Sequence, residues 1–133
     1  MTFKELNLIN PIQQAITEQG YTTPTPIQCE AIPEILNEDD LVGCAQTGSG
    51  KTAAFAIPII QLIHPIVGSM KKVKRIRTLI ITPTRELAVQ INDSFSKYAK
   101  YTNIKTYVIY GGVNQVPQVD QLKSGVDVLI ATP

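Results

Sequence analysis

The chain has 133 residues, about the length of one domain, and 44% of them are hydrophobic. Charged residues make up 17%, a low share that predicts a large buried fraction. The formal net charge of +1 neither indicates nor excludes nucleic acid as a partner, so any basic surface must be local. Two cysteines without a CxxC pattern argue against a disulfide scaffold and a zinc site. With no signal pattern and no apolar run near the ~20 residues of a membrane span, we expect a cytoplasmic protein that contacts no membrane.

The first part of the chain carries two helix starts. Asn10 followed by Pro11 is a cap and a first helical residue, and the helix should end at Gly20. The stretch Thr25 to Gln28 is a capping box with a proline at the first helical position. Pro33 should end or kink this second helix.

Strands then alternate with helices. Short apolar runs predict strands in "DLVGCA" (Asp40 to Ala45), "RTLIITP", "KTYVIYGG" and "DVLIATP". Leu79, Ile80 and Ile81 are continuous rather than alternating, which predicts a parallel strand buried on both faces. The helical run "TRELAVQINDSFSKYA" should place Leu87 among its core residues. We therefore expect an α/β fold with a mainly parallel sheet flanked by helices.

The stretch "AQTGSGKT", Ala45 to Thr52, lies between a predicted strand and a predicted helix. It matches the phosphate-loop pattern G-x-x-x-x-G-K-[ST] except that alanine replaces the first glycine. Gly48 and Gly50 allow backbone N–H groups to turn toward an anion, and the following helix points its positive end there. Lys51 can reach the β- and γ-phosphates, and Thr52 offers a hydroxyl to Mg²⁺. The alternative is a turn with an exposed lysine.

Further stretches narrow the choice of family. "GYTTPTPIQ" precedes the loop, "PTRELA" follows the second strand, "GG" follows the third, and Phe3 lies 17 residues before Gly20. In this order and spacing the motifs resemble the DEAD-box ATP-dependent RNA helicases, of the bacterial type, and the final "ATP" resembles the start of a further motif. Alanine at the first loop position is usual in that family. The resemblance covers Phe3 to Pro133 and implies the first part of a P-loop (RecA-like) domain, truncated, with residues 1–37 as the adenine-reading region and 38–133 as an incomplete α/β core.

The resemblance implies an ATP and Mg²⁺ site. Gln28 resembles the glutamine that reads adenine, a role that is compatible with capping its own helix. Phe3 and Tyr21 would pack against the base, although each alone is an ordinary core residue. The phosphates would meet Ala45, Gln46, Thr47, Gly48, Ser49, Gly50, Lys51 and Thr52, of which Lys51 and Thr52 would be catalytic and Thr52 would reach Mg²⁺ through the nucleotide.

The resemblance also implies an RNA-binding face that reads the backbone and not the sequence. Its residues would be Pro83, Thr84, Arg85, Gly111, Gly112 and Thr132. The alternatives are an exposed helix start for Arg85 and a tight turn for Gly111 and Gly112. Arginine does not suit a helix N-terminus electrostatically, and an RNA phosphate supplies a reason for it. We interpret the basic run from Lys71 to Arg77 as a solvated loop outside this face.

Parts of a complete helicase are missing from the sequence. None of the strands after the phosphate loop is followed by the Asp or Glu that would hold Mg²⁺ or position water, and the second helicase domain is absent. We expect the parent to unwind short RNA duplexes and this chain alone to be inactive. The resemblance further implies that the sheet neighbours of "DLVGC" come after residue 133, and we therefore expect poor stability or a strand edge covered by another chain. The alternatives are a non-enzymatic nucleotide- or RNA-binding module and another P-loop NTPase.

Overall fold

A computed structural model describes residues 1–67 and 75–133 of the chain. After a short 3₁₀ turn at Phe3–Leu6, its elements are α1 (Asn10–Glu18), α2 (Pro26–Leu36), α3 (Lys51–Val67), β1 (Thr78–Ile81), α4 (Arg85–Tyr98), β2 (Thr106–Ile109), α5 (Gln115–Ser124) and β3 (Val128–Ala131). Of the basic run, residues 71–74 lie outside the described residues, and the side chains of Arg75 and Arg77 are exposed. In the described part of the chain, none of the helices has the length and apolar character needed to cross a membrane.

The three strands form one parallel sheet in the order β1-β3-β2. Ile80 of β1 and Val108 of β2 both lie beside Ile130 of β3, which is fully buried. Parallel neighbours require crossover connections, and α4 and α5 occupy the two stretches between successive strands. The expected α/β fold with a parallel sheet and flanking helices is therefore confirmed.

One face of the sheet is buried and the other is partly open. Val128 and Ile130 pack into the main hydrophobic core, with Ile80 and Val108 against it. On the opposite face, Leu79 is 58% exposed and Ile81 is 67% exposed. The prediction that β1 is buried on both faces is therefore wrong. Its continuous apolar run has a cover on only one side within the residues that the structure describes.

The main hydrophobic core combines residues of α1, α2, α3 and α4 with residues of β3. Ile12, Ala15 and Ile16 form the buried face of α1, as their spacing predicts. Helices α2 and α3 pack against each other, and α3 also packs on α4. In α4 the buried residue of the first turn is Ala88, whereas Leu87 is exposed, so the core face begins one residue later than predicted. The predicted division between residues 37 and 38 stays a prediction.

The segment from Asp40 to Ala45 is not a strand, which contradicts the sequence-based prediction. Leu41 and Val42 are exposed, and the side chain of Val42 is 92% exposed. A strand needs a neighbour to pair its backbone N–H and C=O groups. The sheet formed by the described residues ends at β1 and does not include this segment. An apolar run therefore predicted a propensity, but pairing decides whether the strand forms.

The start of α1 differs from the prediction, whereas α2 agrees with one of the two alternatives that Pro33 left open. Helix α1 has Ile9 at its N-cap instead of Asn10, and the Oε1 atom of Gln61 accepts a hydrogen bond from the Ile9 N–H at 2.9 Å. A side chain of α3 thus supplies the cap that isoleucine cannot provide. Helix α2 continues beyond Pro33 to Leu36, so the proline does not end it, and the predicted alternative, a kink at Pro33, stays a prediction.

Candidate functional site

The phosphate loop leads directly into α3. Gly48 and Gly50 have φ angles of +82° and +83°, a left-handed conformation that glycine adopts without strain. Helix α3 begins at Lys51, so the positive end of its dipole lies at the loop. A Cβ atom added at Gly48 would have no heavy atom within 4 Å. The loop is therefore open to solvent at this glycine, with the backbone conformation and helix position that an anion site needs.

Two polar side chains of the phosphate loop donate hydrogen bonds to carbonyl groups of the same loop. The Nζ atom of Lys51 donates a hydrogen bond to the carbonyl oxygen of Ala45 at 2.7 Å. The hydroxyl of Ser49 donates to the carbonyl oxygen of Gln46 at 2.5 Å. A phosphate oxygen would be a charged acceptor for the same ammonium group, and charge-assisted hydrogen bonds are roughly twice as strong as neutral ones. A bound phosphate could therefore replace the carbonyl oxygen of Ala45 as the acceptor for Lys51.

Gln28 connects the start of α2 to the phosphate loop. Its side chain is 6% exposed. Its Oε1 atom accepts from the Thr25 N–H at 3.0 Å, and its Nε2 atom donates to the carbonyl oxygen of Gly50 at 3.1 Å. The first contact is the capping interaction predicted for Gln28. The second contact was not predicted, and it places this amide beside the loop; the adenine-reading role stays a prediction.

The two aromatic residues predicted at the base have other surroundings here. Phe3 is 5% exposed and belongs to the main hydrophobic core. Tyr21 is 53% exposed and lies near Tyr98 at the end of α4. Burial raises the pKa of Tyr98 to about 12, with a smaller contribution from Tyr21. These contacts favour a packing role for Phe3, and contact of either residue with a base stays a prediction.

The residues predicted for the RNA face meet at the carboxyl ends of the strands. Thr84 caps α4 by accepting a hydrogen bond from the Leu87 N–H at 3.2 Å. Arg85, the first residue of α4, donates from Nη2 to the carbonyl oxygen of Gly111 at 2.7 Å. A Cβ atom at Gly112 would overlap the same Nη2 atom, and φ there is +79°. The structure therefore brings the "PTRELA" and "GG" motifs into direct contact.

A cleft of about 370 Å³ lies beside this contact. Its lining combines the end of β2 with α5 and the last residues of the chain, including Gly111, Gly112, Thr132 and Pro133. The N–H of Thr132 donates to the carbonyl oxygen of Ile109 at 3.2 Å, which ties the end of β3 to β2. Three residues of the predicted RNA face therefore share one cleft.

Two residues near this cleft were not predicted. The ring of Tyr110 lies under the guanidinium group of Arg85, with 5.2 Å from Cζ to the ring centroid. The Tyr110 N–H donates to Oε1 of Gln118, on α5, at 2.9 Å. The sequence signal was an aromatic residue directly before Gly-Gly, but the contact with Arg85 joins positions 25 residues apart in the chain.

A smaller cleft of about 220 Å³ adjoins the phosphate loop. Its lining is mainly apolar and comes from α2, the segment before the loop and the first turns of α3, in the residues Ile27, Ala31, Leu41, Gly43, Lys51, Ala54 and Phe55. Within residues 1–67 and 75–133, no three His, Cys, Asp or Glu side chains are grouped so that they could hold a metal ion. The predicted contact with Mg²⁺ is the hydroxyl of Thr52, which lies in the first turn of α3, and this role stays a prediction.

Comparison with known families decides the identity. The family model described as DEAD/DEAH box helicase matches residues 25–133, most of the chain. The chain belongs to the DEAD/DEAH box helicase family. The resemblance inferred from the sequence motifs is thereby confirmed.

Curated relatives of this helicase-family chain come from bacteria, fungi and a plant. The chain is 44% identical to DEAD-box ATP-dependent RNA helicase RhpA of Helicobacter pylori (strain B128) over 132 residues, which cover 99% of this chain and 25% of the relative. It is 43% identical to ATP-dependent rRNA helicase rrp3 of Schizosaccharomyces pombe, with coverage of 99% and 27%. Against ATP-dependent RNA helicase DeaD of Escherichia coli K12 the identity is 40%, with coverage of 99% and 20%. The chain therefore spans about a quarter of the length of these relatives.

Proposed function

We propose that this chain is the ATP-binding part of an ATP-dependent RNA helicase, within the first of its two RecA-like domains. The observation that carries the proposal is the contact between Gln28 and Gly50, because it joins the predicted adenine reader to the phosphate loop. The names of the relatives support the same activity. RNA unwinding and the second domain belong to the parent protein and are part of this proposal, as is its cytoplasmic location.

The phosphate loop fits a nucleotide because Gly48 and Gly50 have the required conformation and the loop leads into the start of α3. The backbone from Ala45 to Ser49 would surround the phosphates, and Lys51 would exchange the carbonyl of Ala45 for a phosphate oxygen. Thr52 would hold Mg²⁺ together with the nucleotide. When bound, Mg²⁺ neutralises charge on the phosphates.

The side chain of Gln28 retains capacity for adenine. A side-chain amide has two N–H donors and two lone pairs on its oxygen. The contacts with Thr25 and Gly50 use one of each. The remaining pair could donate to N7 and accept from the exocyclic amine of adenine, an arrangement that guanine does not match. We propose that Phe3 and Tyr21 support the base from the side of the core.

For RNA we propose contact through the sugar-phosphate backbone, at Pro83, Thr84, Arg85, Gly111, Gly112 and Thr132. The contact between Arg85 and Gly111 supports a single face that includes both motifs. Binding of this kind is largely independent of sequence and depends on salt concentration.

The test is nucleotide binding by the 133-residue chain, measured by calorimetry with Mg²⁺–ATP and Mg²⁺–GTP. We expect ATP to bind more tightly, and Lys51→Ala to weaken ATP binding roughly 10- to 150-fold, the loss of a hydrogen bond to a charged group. Lys97→Ala is the control, because this exposed lysine lies in the last turn of α4. Equal affinity for GTP, or no effect of Lys51→Ala, would contradict the proposal.

The second candidate is a binding module without catalysis. It is favoured by the ends of β1, β2 and β3, because neither Asp nor Glu occurs among the three residues that follow β1 and β2 or the two that follow β3. We accordingly expect no phosphate release by the 133-residue chain above the level of Lys51→Ala, with or without RNA. Release that RNA stimulates and Lys51→Ala abolishes would show that the chain completes a catalytic site on its own.

A further inference from the structure

The contact between Arg85 and Tyr110 is not explained by the family motifs alone. Arg85 is exposed, and the structure gives its guanidinium group two supports: the carbonyl oxygen of Gly111 at 2.7 Å and the ring of Tyr110 at 5.2 Å. A cation within about 6 Å of a ring centroid is attracted by the electron-rich face. The arginine is therefore held on one side, while its exposed location leaves the other side to solvent.

Tyr110 is itself held in place. It directly follows β2, its side chain is half-buried, and its N–H donates to Gln118 on α5 at 2.9 Å. A free arginine side chain loses rotamer entropy when it binds a ligand. A fixed ring and a fixed carbonyl reduce that loss because they restrict the guanidinium before the ligand arrives.

The charges around Arg85 indicate an anionic ligand. Arginine has five N–H donors, and the bond to Gly111 uses one of them. In the residues that the structure describes, Arg85 forms no ion pair with a carboxylate. Arg85 also lies at the start of α4, where its positive charge meets the positive end of the helix dipole. A bound anion would give the guanidinium group a charged partner and would offset this repulsion.

We propose that Tyr110 is a positioning residue for nucleic-acid binding. Its ring holds the guanidinium group of Arg85 so that the free N–H donors meet a phosphate of the RNA backbone, and Gln118 fixes the backbone of Tyr110. The inference rests on the proposed RNA-binding function. The alternative is that the ring only fastens the start of α4 to the end of β2.

The experiment measures binding of a fluorescent single-stranded oligouridine to the 133-residue chain by anisotropy, at several salt concentrations. Each phosphate contact contributes about 0.7 to the slope of log K against log salt for single strands, so Arg85→Gln should lower that slope by about 0.7 and the affinity about three- to tenfold. Tyr110→Leu should lower both by similar amounts, whereas Tyr110→Phe should bind like the unmodified chain because it keeps the ring. The double variant Arg85→Gln/Tyr110→Leu should bind no more weakly than Arg85→Gln.

Tyr101→Leu is the matched control. It removes the other cation–aromatic contact of the described residues, in which Nζ of Lys100 lies 5.3 Å from the ring centroid of Tyr101. Both residues follow the C-terminal end of α4, whereas Arg85 is at its N-terminal end. Circular dichroism checks that each variant is folded. If Tyr110→Leu is not, Tyr110→Val takes its place, since a β-branched residue suits a strand end.

The outcomes separate the inference from the proposed function. If the unmodified chain does not bind oligouridine, the proposed RNA binding fails and the inference fails with it. If Arg85→Gln weakens binding but a folded Tyr110→Leu does not, the inference fails and RNA binding stands. The inference also fails, while RNA binding stands, if the affinity loss of the double variant equals the product of the losses of Arg85→Gln and Tyr110→Leu. It fails in the same way if Arg85→Gln has no effect on affinity.

Discussion

The phosphate loop and the contact between Arg85 and Gly111 are supported by the fold to different degrees. The loop follows a segment that pairs with none of the three strands and is largely exposed. Arg85 and Gly111 follow β1 and β2, which both pair with the buried strand β3. In the phosphate loop, Lys51 donates to a carbonyl oxygen of the loop itself. At the ends of β1 and β2, Arg85 donates to the carbonyl oxygen of Gly111 and stays at the surface. The two parts of the candidate site therefore differ in strand pairing, although both carry a motif that the sequence predicts.

The largest expected effect compares an apolar residue from each region. Ile130→Ala removes fully buried atoms from β3 and should cost about 2–5 kcal/mol of unfolding free energy. Val42→Ala, in the segment before the loop, should change that free energy by less than about 0.5 kcal/mol because Val42 is exposed. Urea denaturation measures both. A cost for Val42→Ala as large as that for Ile130→Ala would show that this segment is packed in solution and would end the comparison.

A second pair tests how the loop is held. Gly50→Ala and Gly48→Ala should each cost about 1–2 kcal/mol, because both sites have positive φ. A Cβ atom at Gly50 would also overlap Nε2 of Gln28, so this variant should cost a further 1–3 kcal/mol or so as the buried amide loses its partner. Thermal unfolding measures stability and calorimetry measures ATP affinity. Equal losses in the two variants would mean that Gln28 does not support the loop.

The smallest effect is expected at the other region. Gly112→Ala would place a Cβ atom against Nη2 of Arg85 and displace the guanidinium group. We expect oligouridine affinity to fall about three- to tenfold, with a slope against salt lower by about 0.7. Gly20 has a similar positive φ of +76°, and a Cβ atom there meets no heavy atom within 4 Å, so Gly20→Ala is the control and should bind oligouridine like the unmodified chain. An unchanged slope in Gly112→Ala would show that Arg85 is not held by this contact.

The sequence predicted the features that depend on local pattern. The parallel sheet, the buried face of α1 and the cap formed by Gln28 with Thr25 follow from spacing and residue type, and all three are present. The strand at Asp40–Ala45 and the second buried face of β1 were wrong because both need a partner that the described residues do not include. An apolar run shows that a segment is able to bury its side chains, but it does not show whether a neighbouring strand or helix packs against it.

The candidate site shows the same limit. The sequence motifs located the phosphate loop and the two motifs predicted for an RNA face. They did not predict the bond between Gln28 and Gly50 or the ring of Tyr110 under Arg85. Each of these contacts joins residues more than 20 positions apart, and its geometry depends on how helices pack on the sheet. The sequence shows which residue types are available for such contacts, whereas the fold determines which of these residues come together.

The cap that Gln61 gives to α1 has a consequence for the order of folding. The same side chain donates from Nε2 to the carbonyl oxygen of Asn7 at 3.1 Å and so binds the chain on both sides of Leu8. These contacts close a loop of more than 50 residues, and closing it costs entropy before any packing is gained. As the protein emerges from the ribosome, the beginning of α1 is complete only after most of α3 has been made. Helix α1 is thus synthesised before Gln61, the residue of α3 that caps it.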